Sequence, residues 1–266
     1  MVDDREEEEH WKRVDLYFYD YQTTSANILI QSSRLRNFIE NTFPKPNVDP
    51  FLHPVVASAL GRNDTLLQLT SGYDALFLVG HSLGGVIIRQ MVVELASILQ
   101  GQMKQLAFAQ AQAKAASGGA DIALEAHLRP VLASSVRLFA PGLFGFEPTN
   151  LAGFIYHFAK AIPMLNHFLR VAASSNAVFK ELAMGSSRLA ELRRRTEDIA
   201  RTEEWRALRA NMLFGSDEEI VYMERYDCDP EIGIVESRDH TSVCKPTPAY
   251  RTPLEFAYGR TSSARA

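Results

Sequence analysis

One serine of this chain lies in a short pattern that can activate a hydroxyl group for nucleophilic attack. Ser82 is the centre of Gly80-His81-Ser82-Leu83-Gly84, which follows the apolar run 75–79 and precedes a second apolar run that begins at Gly85. The first run is typical of a buried strand and the second of a helix. Gly-x-Ser-x-Gly between a strand and a helix forms a sharp turn that exposes the serine hydroxyl at the edge of a sheet. We therefore predict that Ser82 is a nucleophile.

The residue types on either side of Ser82 can be explained physically. A strained turn leaves little room for a Cβ atom two residues before or after the serine, which explains Gly80 and Gly84. The helix that follows directs its N–H groups and the positive end of its dipole towards Ser82. The backbone N–H of Leu83 is therefore the predicted donor to an oxyanion. The competing interpretation is a turn with a helix-capping serine, but the strand before it and the helix after it favour the nucleophile.

A serine nucleophile needs a base that takes its proton and a carboxylate that orients the base. The carboxyl ends of parallel strands meet at one edge of a sheet. Two further predicted strands, 210–214 and 232–236, are followed there by Asp217 and His240. We therefore predict that His240 is the base for Ser82 and that Asp217 is the orienting acid.

Several alternatives compete with these assignments. Glu218 and Glu219 compete with Asp217 as the acid, although both lie farther from the predicted strand end, and Gly-Ser-Asp is also common turn chemistry. Asp239 is interpreted as a surface residue. The remaining histidines are interpreted as structural or surface residues, and for His81 packing is the expected task. They are His10, His53, His81, His127, His157 and His167.

The composition limits the class of protein. The chain has 266 residues, of which 46% are hydrophobic, and a net charge of −4. It is long enough for one sizeable α/β domain with a packed core. The basic cluster Arg193-Arg194-Arg195 lies among acidic residues, so nucleic-acid binding is not predicted.

Three features of the sequence indicate the cellular location of the protein: its N-terminal segment, its apolar runs and its cysteines. Residues 1–10 are acidic and lack the apolar centre of a signal peptide, and no uncharged apolar run reaches 18 residues. We therefore expect a soluble, cytoplasmic protein without a membrane span. Cys228 and Cys244 are expected to be reduced, although a single bridge between them stays open. No metal or organic cofactor is predicted.

Strands alternate with helices along the chain, which predicts an α/β fold with a mostly parallel sheet and helices on both faces. The predicted strands span residues 14–21, 75–79, 131–139, 210–214 and 232–236. The predicted helices span 25–41 with Ser25 as N-cap, 55–60, the stretch from 85 to about 100, and most of 149–208.

On these residues the chain resembles the α/β-hydrolase superfamily, and within it the lipase-like serine esterases. Residues 80–85 match the lipase-type turn, and 217–221 resemble the acid loop, in which an apolar residue follows the carboxylate. Residues 240–246 resemble the histidine segment of the PGAP- and SERAC-type intracellular esterases. Two further segments, 139–145 and 184–192, resemble a loop beside the site and a helix of the same group. The resemblance implies cleavage of carboxylic esters by a Ser-His-Asp triad through an acyl-enzyme.

The resemblance also implies a division of the chain. It gives an acidic segment at 1–13, a hydrolase core at 14–142 and 211–250, a helical cap at 143–210 and a tail at 251–266. The family takes a second oxyanion donor from a loop after its third strand, and no such loop precedes residue 14. If 14–21 is the fourth strand of the family, it must pair directly with 75–79 or leave exposed edges. We therefore expect an N-terminally shortened form or a weakly active protein that acts by interaction. Whether a loop residue such as Gly142 partly replaces the missing oxyanion donor is left open.

The predicted cap suggests a class of substrate. Apolar residues between 151 and 169 recur at helical spacing, which is typical of core, of a lid over an acyl pocket or of a face that touches a membrane. Lys160 and Arg170 are too few for strong binding to anionic lipid. We expect an apolar or lipid-like ester as substrate. Hydrolysis and acyl transfer use the same residues, and the sequence sets neither acyl length, head group nor oligomeric state.

Overall fold

The computed structural model describes residues 14, 16–19, 27–44, 72–116, 128–146 and 181–259. The helices in these ranges are α1 (Ile28–Thr42), α2 (Leu83–Ala116), α3 (Leu128–Leu132), α4 (Ser187–Thr202) and α5 (Thr252–Tyr258). The strands are β1 (Phe77–His81), β2 (Ser135–Phe139), β3 (Asn211–Gly215) and β4 (Gly233–Val235). A single 3-10 turn at Arg206–Leu208 leads into β3.

The four strands form one parallel sheet in the order β1-β2-β3-β4. Phe77 is in register with Ser135, Arg137 with Asn211, and Leu213 with Gly233. Because every strand runs in the same direction, all four carboxyl ends lie at one edge of the sheet. The predicted α/β class with a parallel sheet is confirmed, and the edge that the prediction assigned to the functional residues exists.

Strand β2 is buried along its whole length, and helices lie on both of its faces. Leu138 faces α2, where its Cδ2 atom would lie 3.5 Å from a Cβ atom placed on Gly85. The next residue, Phe139, faces the opposite side, and its ring lies 4.9 Å from that of Phe256 in α5. Neighbouring side chains of a strand point to opposite faces, so β2 is buried on both faces, and this includes the charged residue Arg137, whose guanidinium lies 5.6 Å from the centroid of the Phe256 ring.

Helix α2 is the central helix of the structure and packs against both α1 and α4. Its residues Met91, Val92, Leu95 and Leu99 are fully buried. The part Leu83–Ala109 is long and apolar enough to cross a membrane, although 67% of its most apolar window is buried inside the protein. A buried core helix has the same composition as a spanning one, so this feature is weak support for a membrane span.

Most predicted boundaries differ from the structure by one to three residues, and α2 continues to Ala116 instead of ending near residue 100. Two of the differences have a clear local reason. The strand predicted at 131–139 begins only at Ser135, since Val131 and Leu132 complete the short helix α3. A short apolar run fits a buried helix end as well as a buried strand. The N-cap of α1 is Asn27 and not the predicted Ser25, since the side chain of Asn27 accepts the N–H of Ile30 at 2.9 Å.

The strand predicted at 14–21 is not found in the described residues of that segment, which have no regular secondary structure. The rings of Tyr17 and Tyr19 lie 5.8 and 6.1 Å from the ring of Phe38 in α1. The Tyr17 hydroxyl also lies 2.6 Å from that of Tyr73. Aromatic packing on α1 therefore replaces the predicted pairing with β1. Within the described part of the chain, β1 is paired with β2 alone.

The structure describes only part of the predicted cap. Residues 147–180 and the helix predicted at 55–60 lie outside the described residues. Helix α4, which falls within the predicted cap, packs on α2: Arg195 donates to Ser97 Oγ at 2.8 Å, and Gln100 donates to Thr202 Oγ1 at 3.1 Å. Helix α4 therefore packs on the core, and a cap formed by the rest of 143–210 stays a prediction.

Candidate active site

Ser82 lies in a strained turn between β1 and α2. Its φ angle is 53°, in the left-handed region that residues with a Cβ atom rarely adopt. Its N–H donates to the carbonyl of Phe139 at 3.0 Å, and its carbonyl accepts the N–H groups of Gly85 at 3.0 Å and Gly142 at 3.4 Å. The surrounding backbone therefore holds Ser82 in a conformation that it would not adopt alone, and strain of this kind clusters at active sites.

Close packing around the turn explains two of its glycines. A Cβ atom on Gly80 would lie 2.8 Å from Ile88 Cδ1 and 2.9 Å from the nitrogen of Gly85. A Cβ atom on Gly85 would lie 2.8 Å from that of Pro141 in the loop after β2. The contacts at Gly80 agree with the predicted reason for a glycine there. Gly84 is the second residue of α2.

The N-terminus of α2 is placed to stabilise negative charge beside Ser82. Leu83 is the first residue of the helix, and first-turn N–H groups have no acceptor within their own helix. The positive end of the helix dipole adds to their effect. The N–H of Gly142, the residue considered for a second oxyanion donor, is directed to the carbonyl of Ser82 at 3.4 Å. The role of Leu83 as oxyanion donor stays a prediction.

His240 is paired with a carboxylate, and both side chains are buried. Its Nδ1 atom lies 3.0 Å from Oε2 and 3.1 Å from Oε1 of Glu218. The exposed fractions of the two side chains are 2% and 0%. Glu218 Oε1 also accepts the N–H groups of Ile220 at 2.8 Å and Val221 at 3.1 Å. With Nδ1 facing a carboxylate, a neutral His240 carries its proton on Nδ1 and its lone pair on Nε2, as a triad histidine does.

The structure thus places Glu218, not Asp217, at His240. Asp217 is exposed, and its carboxylate accepts the hydroxyl of Ser216 at 2.7 Å. The N–H of Asp217 donates to the carbonyl of Arg238 at 2.9 Å, which fixes this residue on the outside of the loop. The side chain of the next residue points inward and is longer by one methylene group. The prediction that Asp217 contacts His240 is therefore wrong, because the carboxylate beside His240 belongs to the next residue, Glu218.

The loops after β3 and β4 are tied together, which brings Glu218 and His240 into contact. Ser216 donates its N–H to the carbonyl of Val235 at 2.8 Å. A Cβ atom on Gly215 would collide with the carbonyl of Arg238, so only glycine allows this approach.

Asp239 holds the turn that carries His240. Its Oδ1 atom accepts the N–H groups of Thr241 at 3.0 Å and Ser242 at 2.7 Å. Burial opposes ionisation of Asp239, but the hydrogen bonds from Ser242 and Thr241 outweigh it and lower its pKa to about 2. The interpretation of Asp239 as a surface residue is therefore incomplete, since it is partly buried and shapes the histidine turn.

His81 links the turn of Ser82 to the turn of His240. Its Nε2 atom lies 2.7 Å from the backbone carbonyl oxygen of His240, and the two rings are 4.8 Å apart. Since His81 directly precedes Ser82, this contact places His240 next to the strained serine turn. The prediction for His81 was packing alone. Nothing in the local sequence shows which distant carbonyl a histidine will contact, so the sequence offered no signal for this bond.

A buried ion pair connects α2 to the loop after β3. Arg89 Nη2 lies 2.7 Å from both carboxylate oxygens of Asp229, and its Nη1 donates to the carbonyl of Leu208 at 2.6 Å. Asp229 Oδ1 also accepts the N–H of Ala210 at 2.8 Å. Both charged side chains are fully buried. A charged residue inside the apolar run 86–93 was the available signal, because buried charges require partners.

The remaining chemistry of the described residues is sparse. In the ranges that the structure describes, no group of three or more His, Cys, Asp or Glu side chains is arranged to hold a metal ion. Cys228 and Cys244 are free thiols. Comparison of the chain with protein-family models, curated proteins and solved structures gave no match. The geometry of the site is therefore the basis on which a function is proposed.

Proposed function

We propose that this protein is a serine hydrolase of the α/β-hydrolase type that cleaves carboxylic esters. Ser82 is the nucleophile, His240 the base and Glu218 the acid that orients it. The observation that carries the proposal is the buried Glu218–His240 pair, which lies at the same edge of the sheet as the strained turn of Ser82. A buried carboxylate with a buried imidazole beside a serine in a left-handed turn has a direct chemical use in nucleophilic catalysis.

In the proposed reaction, Ser82 Oγ attacks the acyl carbon of the ester while His240 Nε2 takes the hydroxyl proton. The negative charge of Glu218 stabilises the imidazolium that forms. The tetrahedral intermediate collapses when the bond to the alcohol breaks, and His240 returns the proton to the departing oxygen. A water molecule, activated by the same histidine, then attacks the acyl-enzyme and releases the acid. An alcohol in place of water would give acyl transfer instead.

The N–H of Leu83 would stabilise the oxyanion of the two tetrahedral intermediates, one formed when Ser82 attacks the ester and one when water attacks the acyl-enzyme. Its place in the first turn of α2 supports this role. No metal or organic cofactor takes part in the proposed steps. The substrate is proposed to be an apolar or lipid-like ester in the cytoplasm, with peripheral membrane contact through the cap as an accompanying proposal. Both rest on the apolar residues that recur at helical spacing between 151 and 169 in the sequence, which lie outside the described residues.

A second candidate is a weakly active or inactive hydrolase-fold protein that acts as an interaction module. It is favoured by one observation, the hydrogen bond of 3.4 Å that the Gly142 N–H donates to the carbonyl of Ser82 within the turn. Among the described residues, no second backbone donor besides Leu83 is assigned to the oxyanion. Loss of one such donor lowers the rate on the order of 10²–10³-fold, so this candidate predicts slow chemistry at an otherwise assembled site.

Ester hydrolysis by the purified chain tests the proposal. We would measure turnover of p-nitrophenyl acetate, butyrate and octanoate by the wild type, Ser82→Ala and Ser97→Ala. Ser97 is a matched control, because it lies in α2, the helix that follows Ser82, roughly 22 Å further along at about 1.5 Å per residue. We expect Ser82→Ala to lose turnover and Ser97→Ala to keep it. A folded wild type whose turnover equals that of Ser82→Ala would support the interaction module.

A further inference from the structure

His81 joins the strand of the nucleophile to the backbone of the base through one hydrogen bond. The His240 carbonyl oxygen can only accept a hydrogen bond, so the His81 nitrogen at 2.7 Å must be the donor. The His81 ring therefore carries its proton on Nε2. The Cα atom of His81 lies about 3.8 Å from that of Ser82 along the chain. A donor fixed this close to the nucleophile determines how near the His240 turn can approach.

We propose that His81 is a positioning residue of the site, whose Nε2–H group holds the backbone carbonyl of His240 and thereby sets the distance between the base and Ser82. This inference rests on the proposed function. It gives the second residue of the Gly-x-Ser-x-Gly turn a task that packing alone does not require.

Two other restraints on His240 act on its ring and on its own turn. Glu218 holds the ring at Nδ1 and so fixes its tautomer and direction. Asp239 shapes the turn from within, through the N–H groups of Thr241 and Ser242. Neither contact reaches β1, and the bond from His81 does. It is therefore a contact that can place the base turn against the nucleophile turn.

The charge of His81 suits this task. Burial, together with the neighbouring His240 ring and Lys245, lowers the pKa of His81 to about 4, although the hydrogen bond to the His240 carbonyl and the charge of Glu218 act in the opposite direction. His81 is therefore neutral at pH 7. A neutral donor holds the carbonyl without adding positive charge beside an imidazole that must itself become positive during the proposed reaction.

Two substitutions separate the hydrogen bond from the volume of the ring. His81→Phe keeps a planar ring and removes the donor, whereas His81→Gln places an amide N–H at a similar distance along the side chain. We would measure the second-order rate of labelling by a fluorophosphonate, and kcat and KM for p-nitrophenyl butyrate, on protein shown to be folded by circular dichroism. The His81 tautomer in the wild type would be read from the ¹⁵N chemical shifts of labelled histidine.

We expect labelling and kcat to fall about 10–100-fold in His81→Phe, because small displacements of a catalytic group have effects of this size. KM should change less than about twofold, since the proposed task of His81 is to hold the His240 carbonyl and not to bind the ester. His81→Gln should recover the rate to within about threefold of the wild type. The wild-type spectrum should show the Nε2–H tautomer. A purely structural role would instead lower the folded fraction of both variants and leave the rate per folded site unchanged.

Three results would overturn the inference alone: a reactive wild type whose His81→Phe variant reacts equally fast, a His81→Gln variant as slow as His81→Phe, or an Nδ1–H tautomer at His81. A folded wild type that does not react would overturn the proposed function, and the positioning role with it. If His81→Phe does not fold, the tautomer and the His81→Gln rate still decide between the outcomes.

Discussion

Both carboxylate oxygens of Glu218 contact Nδ1 of His240, at 3.1 and 3.0 Å. The neighbouring carboxylate of Asp217 is exposed and bound to the hydroxyl of Ser216. Two adjacent acids thus have different surroundings, and only one of them can orient the histidine. Their substitution by the corresponding amides separates the two roles.

Glu218→Gln is expected to lower kcat for ester hydrolysis on the order of 10²–10⁴-fold, because an amide can stabilise the wrong tautomer of His240 and carries no charge to offset the imidazolium. Asp217→Asn should stay within about threefold of the wild type. Steady-state kinetics with p-nitrophenyl butyrate measure both. A larger loss of kcat in Asp217→Asn than in Glu218→Gln would show that Asp217, not Glu218, is the acid that orients His240.

Gly80→Ala is expected to destabilise the fold by about 1–3 kcal/mol, the usual result of forcing an extra carbon into a filled space. The added Cβ would lie 2.8 Å from Ile88 Cδ1 and 2.9 Å from a backbone nitrogen. Gly101→Ala is the matched control, because nothing lies within 4 Å of its added Cβ and the residue is inside α2. It should stabilise the protein by up to about 1 kcal/mol. Urea unfolding would show the two variants shifted in opposite directions; equal shifts would contradict the packing described at the turn.

Asp229→Ala is expected to destabilise the protein by about 3–5 kcal/mol, because it leaves the buried charge of Arg89 without its carboxylate. The double variant Arg89→Met, Asp229→Leu should be closer to the wild type than Asp229→Ala, since it removes both charges. Arg201→Ala breaks an exposed ion pair with Asp198 and should unfold at nearly the wild-type urea concentration. If Asp229→Ala unfolded together with Arg201→Ala, the pair would not be buried as described.

The stability of the fold should depend on His81 in acid. Burial and His240 lower the folded-state pKa of His81 from 6.5 to about 4, so the unfolded chain binds this proton at a higher pH than the folded chain does. The stabilisation is therefore fully present above about pH 6.5 and is lost as the pH falls towards 4, by about 3 kcal/mol. The difference in unfolding free energy between the wild type and His81→Gln should be flat above pH 7 and shrink between pH 6.5 and 4. A difference that is constant over that range would contradict a neutral buried His81.

The sequence was informative where a feature depends on neighbouring residues. The turn at Ser82, the strands that follow it and the order of Ser82 and His240 along a parallel sheet come from local periodicity and from glycine spacing. Which of two adjacent acids points inward depends on the backbone bond from Asp217 to Arg238, which is a tertiary contact. The Arg89–Asp229 pair spans 140 residues of sequence. The segment 14–21 has the composition of a strand, but Tyr17 and Tyr19 pack on Phe38, so tertiary contacts override the local preference in the described part of the segment.

The most direct test of the central proposal is fluorophosphonate labelling of the full chain, followed by intact-mass measurement and peptide mapping. The proposal predicts one adduct per chain, on the peptide that contains Ser82. The adduct should be lost in Ser82→Ala and kept in Ser97→Ala, because only an activated serine reacts with the probe. A chain that is folded by circular dichroism and yet gains no adduct, or gains it at another residue, would contradict the assignment of Ser82 as a nucleophile.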